Sequence, residues 1–564
     1  MTNESLLILG LLTPLFAAFG SYCFKNNINV RDSFGVIGGV ITFLISLKIF
    51  NGLQAEEQYV INLFTLFNGV DFLFNITPLG SIFSLVASSL WILASIYTVG
   101  YMRGAGEKNQ TRFVIFYSIA IHAALAIAWS GNLLMLFIFY EILTFSTFPL
   151  VGHKQDAESQ AAGRVYLSIL VGTSLVLFLP AIFWVWLETG SLNFTPGGIL
   201  EGKFPTEYLI FLVAMLVFGI GKAAIMPIHR WLPAAMVAPT PVSALLHAVA
   251  VVKAGVFSFL MVVVYIIGPD YLLQSKASNW LVWLSSFTIL TASIIAISKD
   301  DLKARLAYST ISQLSYIILG AALATTFALK GASFHIITHA LGKITLFFCA
   351  GAIYVTAHVK KISELGGLGF KTPMIFFAYT LGALSIIGVP PFVGSWSKFY
   401  LILGLFVVSV SSIAQNTTIG DVDMGEVNNS KAFEQIKKML GKWEGKLYQQ
   451  SGAVVDTSSE FKLVSNGNTI VEKLVEDGVE MMTTYSDKDG ELVIKHYCAL
   501  GTEPMFTVDT LNENSIQLKS DPSPGYHPKH HNFVETIGWT FTGSDSVKVD
   551  ASLNLDGKLE KQYS

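Results

Sequence analysis

The sequence predicts a polytopic α-helical membrane protein of about twelve spans, followed by a small antiparallel domain of the β-barrel type. Three observations carry that expectation. The 564 residues are 52% hydrophobic and 13% charged, whereas soluble globular chains are about 25% charged. Long apolar runs fill the chain as far as Ile413, and short, turn-punctuated alternating runs follow. The charges divide at the same place. Residues 1–413 hold 22 Lys/Arg and 16 Asp/Glu, a balance of +6, while 414–564 hold 14 Lys, 23 Asp/Glu and no Arg, a balance of −9.

These numbers exclude a disordered chain, and they set aside an ordinary soluble enzyme. A net charge of −3 sets aside a basic nucleic-acid binder. Cys23, Cys349 and Cys498 are too few and too scattered for a disulfide framework or a thiolate metal site. The expected organisation is a membrane domain over 1–411, a linker over 412–430 and a β-rich domain over 431–564.

A spanning helix needs roughly 20 mostly apolar residues. Runs of that kind lie near 5–24, 34–53, 77–101, 112–130, 132–152, 164–187, 207–226, 239–267, 278–298, 304–324, 332–357 and 372–411. The last run is interrupted by Pro390-Pro391, which predicts two half-helices. Pro227 and Pro233 break the chain between the seventh and eighth runs. Such breaks survive in a bilayer only where protein or a wet cavity covers the freed backbone groups.

Loop charge predicts the orientation. With the N-terminus outside, the cytoplasmic loops hold 14 Lys/Arg and the opposite loops 3. The positive-inside rule therefore places the N-terminus, and with it the polar tail, on the extracytoplasmic side of the cell (inner) membrane.

Ionisable residues within the apolar runs are the main functional clue, because a charge at mid-bilayer costs about 3 kcal/mol or more. They are Glu141, Lys222, His247, Lys253, His335, His339, Lys343 and Lys398. His335, His339 and Lys343 are spaced by four and share one helix face. His247 and Lys253 are six apart and point to different sides, which predicts different neighbours. One such group in isolation would serve to fix helix packing. Eight of them, several beside helix breaks, point to a proton or ion pathway. Burial disfavours a charged lysine and a nearby carboxylate restores it, so Glu141 and Lys222 form a candidate switchable pair. Histidine relays a proton in either direction.

The stretches YEILTFSTFPLVGH, GKAAIMPIHRWLPAAMVAPTPVSALLHAVAVVKAG, LKARLAYSTISQLSYIILG, HALGKITLFFCAGAIY and GVPPFVGSWSKFYL closely resemble the D subunit of Mrp-type multisubunit monovalent cation/proton antiporters. That family is related to antiporter-like membrane subunits of respiratory complex I and of membrane-bound hydrogenases. The likeness covers about residues 1–404. It implies a fold with inverted repeats, each holding a broken helix with a key ionisable group. It assigns Glu141, Lys222, Lys253 with His247, His339 with Lys343, and Lys398 to a hydrated polar axis, with H⁺ exchanged for Na⁺ or K⁺. It implies other membrane subunits of an antiporter complex as partners and no redox cofactor. Past about Gly404 the likeness fades, so the second repeat is expected to be truncated by two helices.

In the tail, Ser430 caps a short helix whose stripe is Phe433, Ile436 and Leu440. VEMMTTYS, DKDG and ELVIKHYC read as a hairpin, and TIGWTFTG and SVKVDASLNL as further strands. Gly441 and Trp443 after a short helix resemble lipocalin-like (calycin) and DUF1579-type domains, which implies a pocket for a small apolar ligand. His527, His530 and His531 in GYHPKHHN match no standard metal spacing and read as a solvated loop. Cys498 reads as a small core residue. Lys398, the apolar run after it and Ser-Ser-Ile-Ala-Gln resemble a signal peptide with a cut near Ala414, against the simpler reading of a helix end. A fusion of a truncated antiporter sequence with a secreted domain accounts for both halves.

Three functions compete on the sequence. They are a subunit of a Na⁺(K⁺)/H⁺ antiporter, a proton-pumping subunit of a quinone oxidoreductase or hydrogenase relative, and a membrane-anchored ligand-binding protein or non-functional fusion. A transporter subunit is favoured over an enzyme.

Overall fold

The computed structural model describes residues 2–414, 429–488, 490–521, 530–543 and 545–564. The chain forms two compact units, Met1–Ala414 and Gln415–Ser564, and each is taken by itself.

Among the described residues of the first unit, ten helices are long and apolar enough to cross a membrane. They are α1 (Asn3–Cys23), α2 (Ile28–Gln54), α3 (Pro78–Gly104), α4 (Gln110–Trp129), α5 (Leu133–Val151), α6 (Ala157–Thr189), α8 (Thr240–Ile267), α9 (Asn279–Ser298), α10 (Leu302–Leu323) and α11 (Thr326–Ala357). Three further apolar helices join them, α7 (Thr206–Gly219), α12 (Pro373–Ile387) and α13 (Val393–Ala414). Side-chain caps begin many of them. Asn27, Thr77, Asn132, Asp156, Asp301 and Thr325 each accept a bond from the backbone N–H three residues on, which satisfies a donor that the helix leaves orphaned.

Burial tells which helices face lipid. α8 is 94% buried and α9 only 28%, so α8 lies in the middle of the unit and α9 at its edge. A helix walled in on all sides can hold His247 and Lys253 away from lipid. α11 packs against α8, α10, α12 and α13.

Both expected breaks are present. α7 stops at Gly219, short of the run's end at residue 226. Ile220 leaves helical torsions, Gly221–Ala223 makes one 3₁₀ turn, and Ala224 is left-handed at φ 54°. Pro227 and Pro233 then sit among one-turn helices that lead to α8. The second break lies between α12 and α13. Gly388 closes α12 at φ 87°, and Pro390 and Pro391 occupy the gap before Val393. Prolines bring no N–H to these gaps, so no helical bond is lost there.

A hairpin of β1 (Val60–Phe67) and β2 (Val70–Asn75) lies between α2 and α3. Span lengths do not announce it, although its turn, Asn68 and Gly69, is a hairpin signal. The expected linker begins inside α13, which runs to Ala414; residues 415–428 lie outside the described residues, at the edge of which the signal-like cut would fall.

The second unit is a closed antiparallel barrel of ten strands, β3 (Gly441–Gln449), β4 (Val454–Val464), β5 (Thr469–Glu476), β6 (Val479–Lys488), β7 (Glu491–Tyr497), β8 (Met505–Asn512), β9 (Ser515–Ser520), β10 (Phe533–Phe541), β11 (Val547–Leu555) and β12 (Lys558–Tyr563), with β10 hydrogen-bonded to β9. A short helix, α14 (Lys431–Ile436), precedes it, capped by Ser430. The expected stripe is buried at Phe433 and Ile436, but it continues to Met439 rather than to Leu440, which is 39% exposed. The chain tightens to a 3₁₀ turn over Lys437–Met439, and that turn puts i+3 on the buried face. The expected hairpin forms from β6 (Val479–Lys488) and β7 (Glu491–Tyr497). Phe433, Ile470, Tyr485, Ile494 and Phe506 pack together in the core of this unit.

Candidate functional site

The ionisable residues fall into three groups inside the membrane unit. The first lies where the 3₁₀ turn after α7 meets α5. Lys222 is fully buried. Its amine donates to the Tyr140 carbonyl at 2.8 Å and to Thr144 Oγ1 at 2.6 Å, and it sits over the Tyr140 ring. The Lys222 backbone N–H donates to the Tyr140 hydroxyl at 3.0 Å. Trp231 Nε1 donates to the Gly221 carbonyl at 3.0 Å and ties the turn to the segment beyond it. Gly255 of α8 lets that helix approach so closely that a Cβ there would lie 2.8 Å from Lys222 Cβ. Both carboxylate oxygens of Glu141 are buried without a hydrogen-bond partner. Glu141 and Lys222 are thus neighbours that share no hydrogen bond in this state.

The second group joins α8 to α11. Lys253 Nζ lies 2.5 Å from His339 Nδ1. The His339 ring stacks on His335, with centroids 6.0 Å apart and planes at 7°. His335 continues the line, with Nδ1 2.9 Å from Ser397 Oγ and Nε2 3.1 Å from Gln313 Oε1. Lys343, on the same face of α11, donates to Ser309 Oγ at 2.8 Å and to the Leu306 carbonyl at 3.2 Å. His247 packs on Phe347, 4.9 Å between centroids, and neither of its ring nitrogens has a partner. His247 and Lys253 therefore contact different residues of one helix, α11. Ideal helical spacing does not hold between them, because Leu245–Val249 is π-helical.

The third group is the break between α12 and α13. Lys398 Nζ donates to the carbonyls of Ile386 and Ile387 at 2.9 and 2.8 Å. These are last-turn acceptors of α12 that the helix cannot satisfy itself. Ser397, next to Lys398, is the residue that bonds His335 and, at 3.2 Å, Thr338. The second and third groups are therefore joined through one hydroxyl.

Tyr140, Thr144, Ser309, Gln313 and Ser397 belong to this site and escape a reading based on charge. Tyr140 and Thr144 flank Glu141 at one helical turn's spacing, and Ser397 stands beside Lys398. Adjacency to an intramembrane charge is the signal that finds these three, whereas Ser309 and Gln313 carry no such signal in the sequence. In the barrel unit, His527 lies outside the described residues, and no cluster of three metal-ligating side chains occurs among the described residues.

Residues 130–420 match the family described as NADH:quinone oxidoreductase/Mrp antiporter, TM. The NAD(P)H-quinone oxidoreductase chain 5 of Synechocystis sp. is 34% identical over 342 residues, 57% of this chain and 48% of that protein. Chloroplastic subunit 5 of Phaseolus vulgaris is 31% identical over 58% of this chain and 45% of its own length. The NADH-quinone oxidoreductase subunit N of Desulforudis audaxviator is 32% identical over 58% of this chain and 66% of its own. The chain thus spans about half the length of the two subunit 5 relatives. Among solved structures, a chain of the membrane-bound sulfane sulfur reductase, an archaeal respiratory membrane complex, superposes at a TM-score of 0.64 with 23% identity over 72% of this chain and 86% of that one. A chain of the Mrp complex from Dietzia sp. superposes at 0.64 with 22% identity over 74% and 77%. These two likenesses show a common fold.

Proposed function

The chain belongs to the NADH:quinone oxidoreductase/Mrp antiporter transmembrane family, and from that premise we propose that its membrane unit carries protons across the cell (inner) membrane as the D-type subunit of a multisubunit Na⁺(K⁺)/H⁺ antiporter. The observation that carries the proposal is the row from Lys253 to His339, across the stacked His339 and His335 rings, to Ser397. Its members each hold or pass a proton, and it crosses from the middle helix α8 to the break beside Lys398. The unpartnered atoms of Glu141, His247 and His339 are polar groups in a low-dielectric interior, and they suit water-borne proton transfer. A polar pocket of about 290 Å³ lined by Glu107, Lys154, Asp156, Asp301 and Lys303 supports access from the side that loop charge marks as cytoplasmic.

Partner membrane subunits, an extracytoplasmic N-terminus and barrel, and a small apolar ligand for a lipocalin-like barrel complete this proposal. So do the domain limits 1–411 and 431–564. A second reading, the membrane arm of a quinone oxidoreductase or hydrogenase, is favoured by the oxidoreductase relatives near one-third identity. Everted vesicles containing the chain with its partners separate the two. Antiport predicts proton movement on adding Na⁺ or K⁺, and the second reading predicts movement only on adding a reductant. Lys222→Ala is expected to abolish proton movement under either reading, and an unimpaired Lys222→Ala protein would overturn the relay.

A further inference from the structure

The barrel encloses a cavity of about 510 Å³, within the range of small-molecule sites. Most of its wall is apolar, with Trp443, Phe461, Met481 and Trp539 among the lining residues. A polar row crosses that wall. Phe461, Glu472, Thr483 and His496 stand directly opposite one another on four successive strands, β4 to β7, so they point to the same side of the sheet. Glu472 is 6% exposed and His496 2%. Burying such groups in a small barrel is costly, and the core would pack more simply without them.

Their bonding fixes what they offer. The Glu472 carboxylate accepts from Ser459 Oγ at 2.8 Å and from the Tyr485 hydroxyl at 2.6 Å, with Thr483 also in reach. His496 Nδ1 lies 2.9 Å from Thr483 Oγ1. When the Thr483 hydroxyl donates to Glu472, its oxygen accepts from Nδ1–H, and Nε2 is left as a lone-pair acceptor. Among the described residues Nε2 makes no hydrogen bond, and the ring lines the cavity. Burial holds the His496 ring down to about 4, so it is neutral near pH 7. The described lining residues include five acids (Glu444, Glu472, Glu476, Asp477 and Asp545) and neither Lys nor Arg. A carboxylate head beside Glu472 and His496 Nε2 would meet like charge and a lone pair. An ammonium, with three donors and no acceptor, meets partners.

We propose that the barrel binds a small amphiphilic primary amine, its apolar body between Trp443 and Trp539 and its ammonium head on Glu472 and His496 Nε2. This rests on reading the barrel as a ligand-binding module and is independent of transport. The test is calorimetry on the full chain in lipid nanodiscs, with empty nanodiscs as blank. The probes are phenethylamine, phenethyl alcohol and phenylpropanoate, which share one apolar body. The amine is expected to bind about ten-fold or more tighter than either competitor. Glu472→Gln is expected to remove that preference. Equal or tighter binding of the acid or the alcohol overturns the amine assignment alone, and binding of none of the three overturns the ligand-binding reading with it. An amine affinity unaltered in both Glu472→Gln and His496→Phe overturns the site. The ranking of probes on the unmodified chain decides the matter if either variant fails to fold.

Discussion

Lys253 Nζ lies 2.5 Å from His339 Nδ1, and Nε2 of the same ring has no partner. A charged lysine only donates, so Nδ1 accepts and the ring proton sits on Nε2. Passing a proton from Lys253 to the ring then frees the Nε2 proton on the far side. Lys253→Met and His339→Gln are each expected to lower proton flux about ten-fold or more, the scale of losing a general acid–base group. The double variant should be no slower than the worse single one, because the two act as a unit. Flux in reconstituted vesicles measures this, and additive losses would show that the residues serve separate paths.

Gly255 is expected to be intolerant for a steric reason. A Cβ there would meet Lys222 Cβ at 2.8 Å and crowd the backbone of the Lys222 turn. Gly255→Ala should cost about 1–3 kcal/mol as overpacking and reduce proton flux by displacing the Lys222 amine from Thr144. Gly172→Ala, where nothing lies within 4 Å, is the control and should change neither. Thermal unfolding in detergent and flux in vesicles read the two effects.

Much of this was legible in the sequence. Span length and hydrophobicity locate the membrane helices, and prolines mark both breaks. The intramembrane charges name the three groups. The pairings within them were not legible, because they depend on which helices meet. Nothing in the spacing of His247 and Lys253 says that both face α11, since a π-helical turn falsifies the ideal count. Ser397 as the link between His335 and the break follows only from the docking of α13 on α11. In the barrel, alternation finds strands such as β6 and β7, but the polar row of Glu472, Thr483 and His496 needs the register across strands. Register is set by pairing partners, not by any one strand's pattern.

Lys398 has a structural task that any transport role must share. Its amine holds the carbonyls of Ile386 and Ile387, and its removal leaves two acceptors of α12 unbonded. Lys398→Met should loosen the end of α12 by about 1–3 kcal/mol, the cost of backbone acceptors left unbonded away from water. Hydrogen exchange over residues 384–398 should quicken, while exchange in α8 stays as before. Unchanged exchange around the break would show that the amine does not support it.

His496 should give the barrel a loss of stability in acid, against which Glu472 acts. Burial lowers its ring from 6.5 to about 4. Between those values the unfolded chain binds a proton that the folded barrel refuses, so stability is full above 6.5 and falls as pH drops toward 4. Glu472 has the opposite sign. Burial raises its carboxyl above 4.5, so the folded state keeps a proton that the unfolded state releases, and stability falls as pH rises through that range. In the wild type the two slopes oppose each other. His496→Gln removes the first and leaves the second, so the variant should gain stability relative to wild type as pH falls from 6.5 to about 4. Denaturant-dependent hydrogen exchange of β6 and β7 across that range measures it, and parallel pH curves for the two proteins would show that His496 is protonated as freely folded as unfolded.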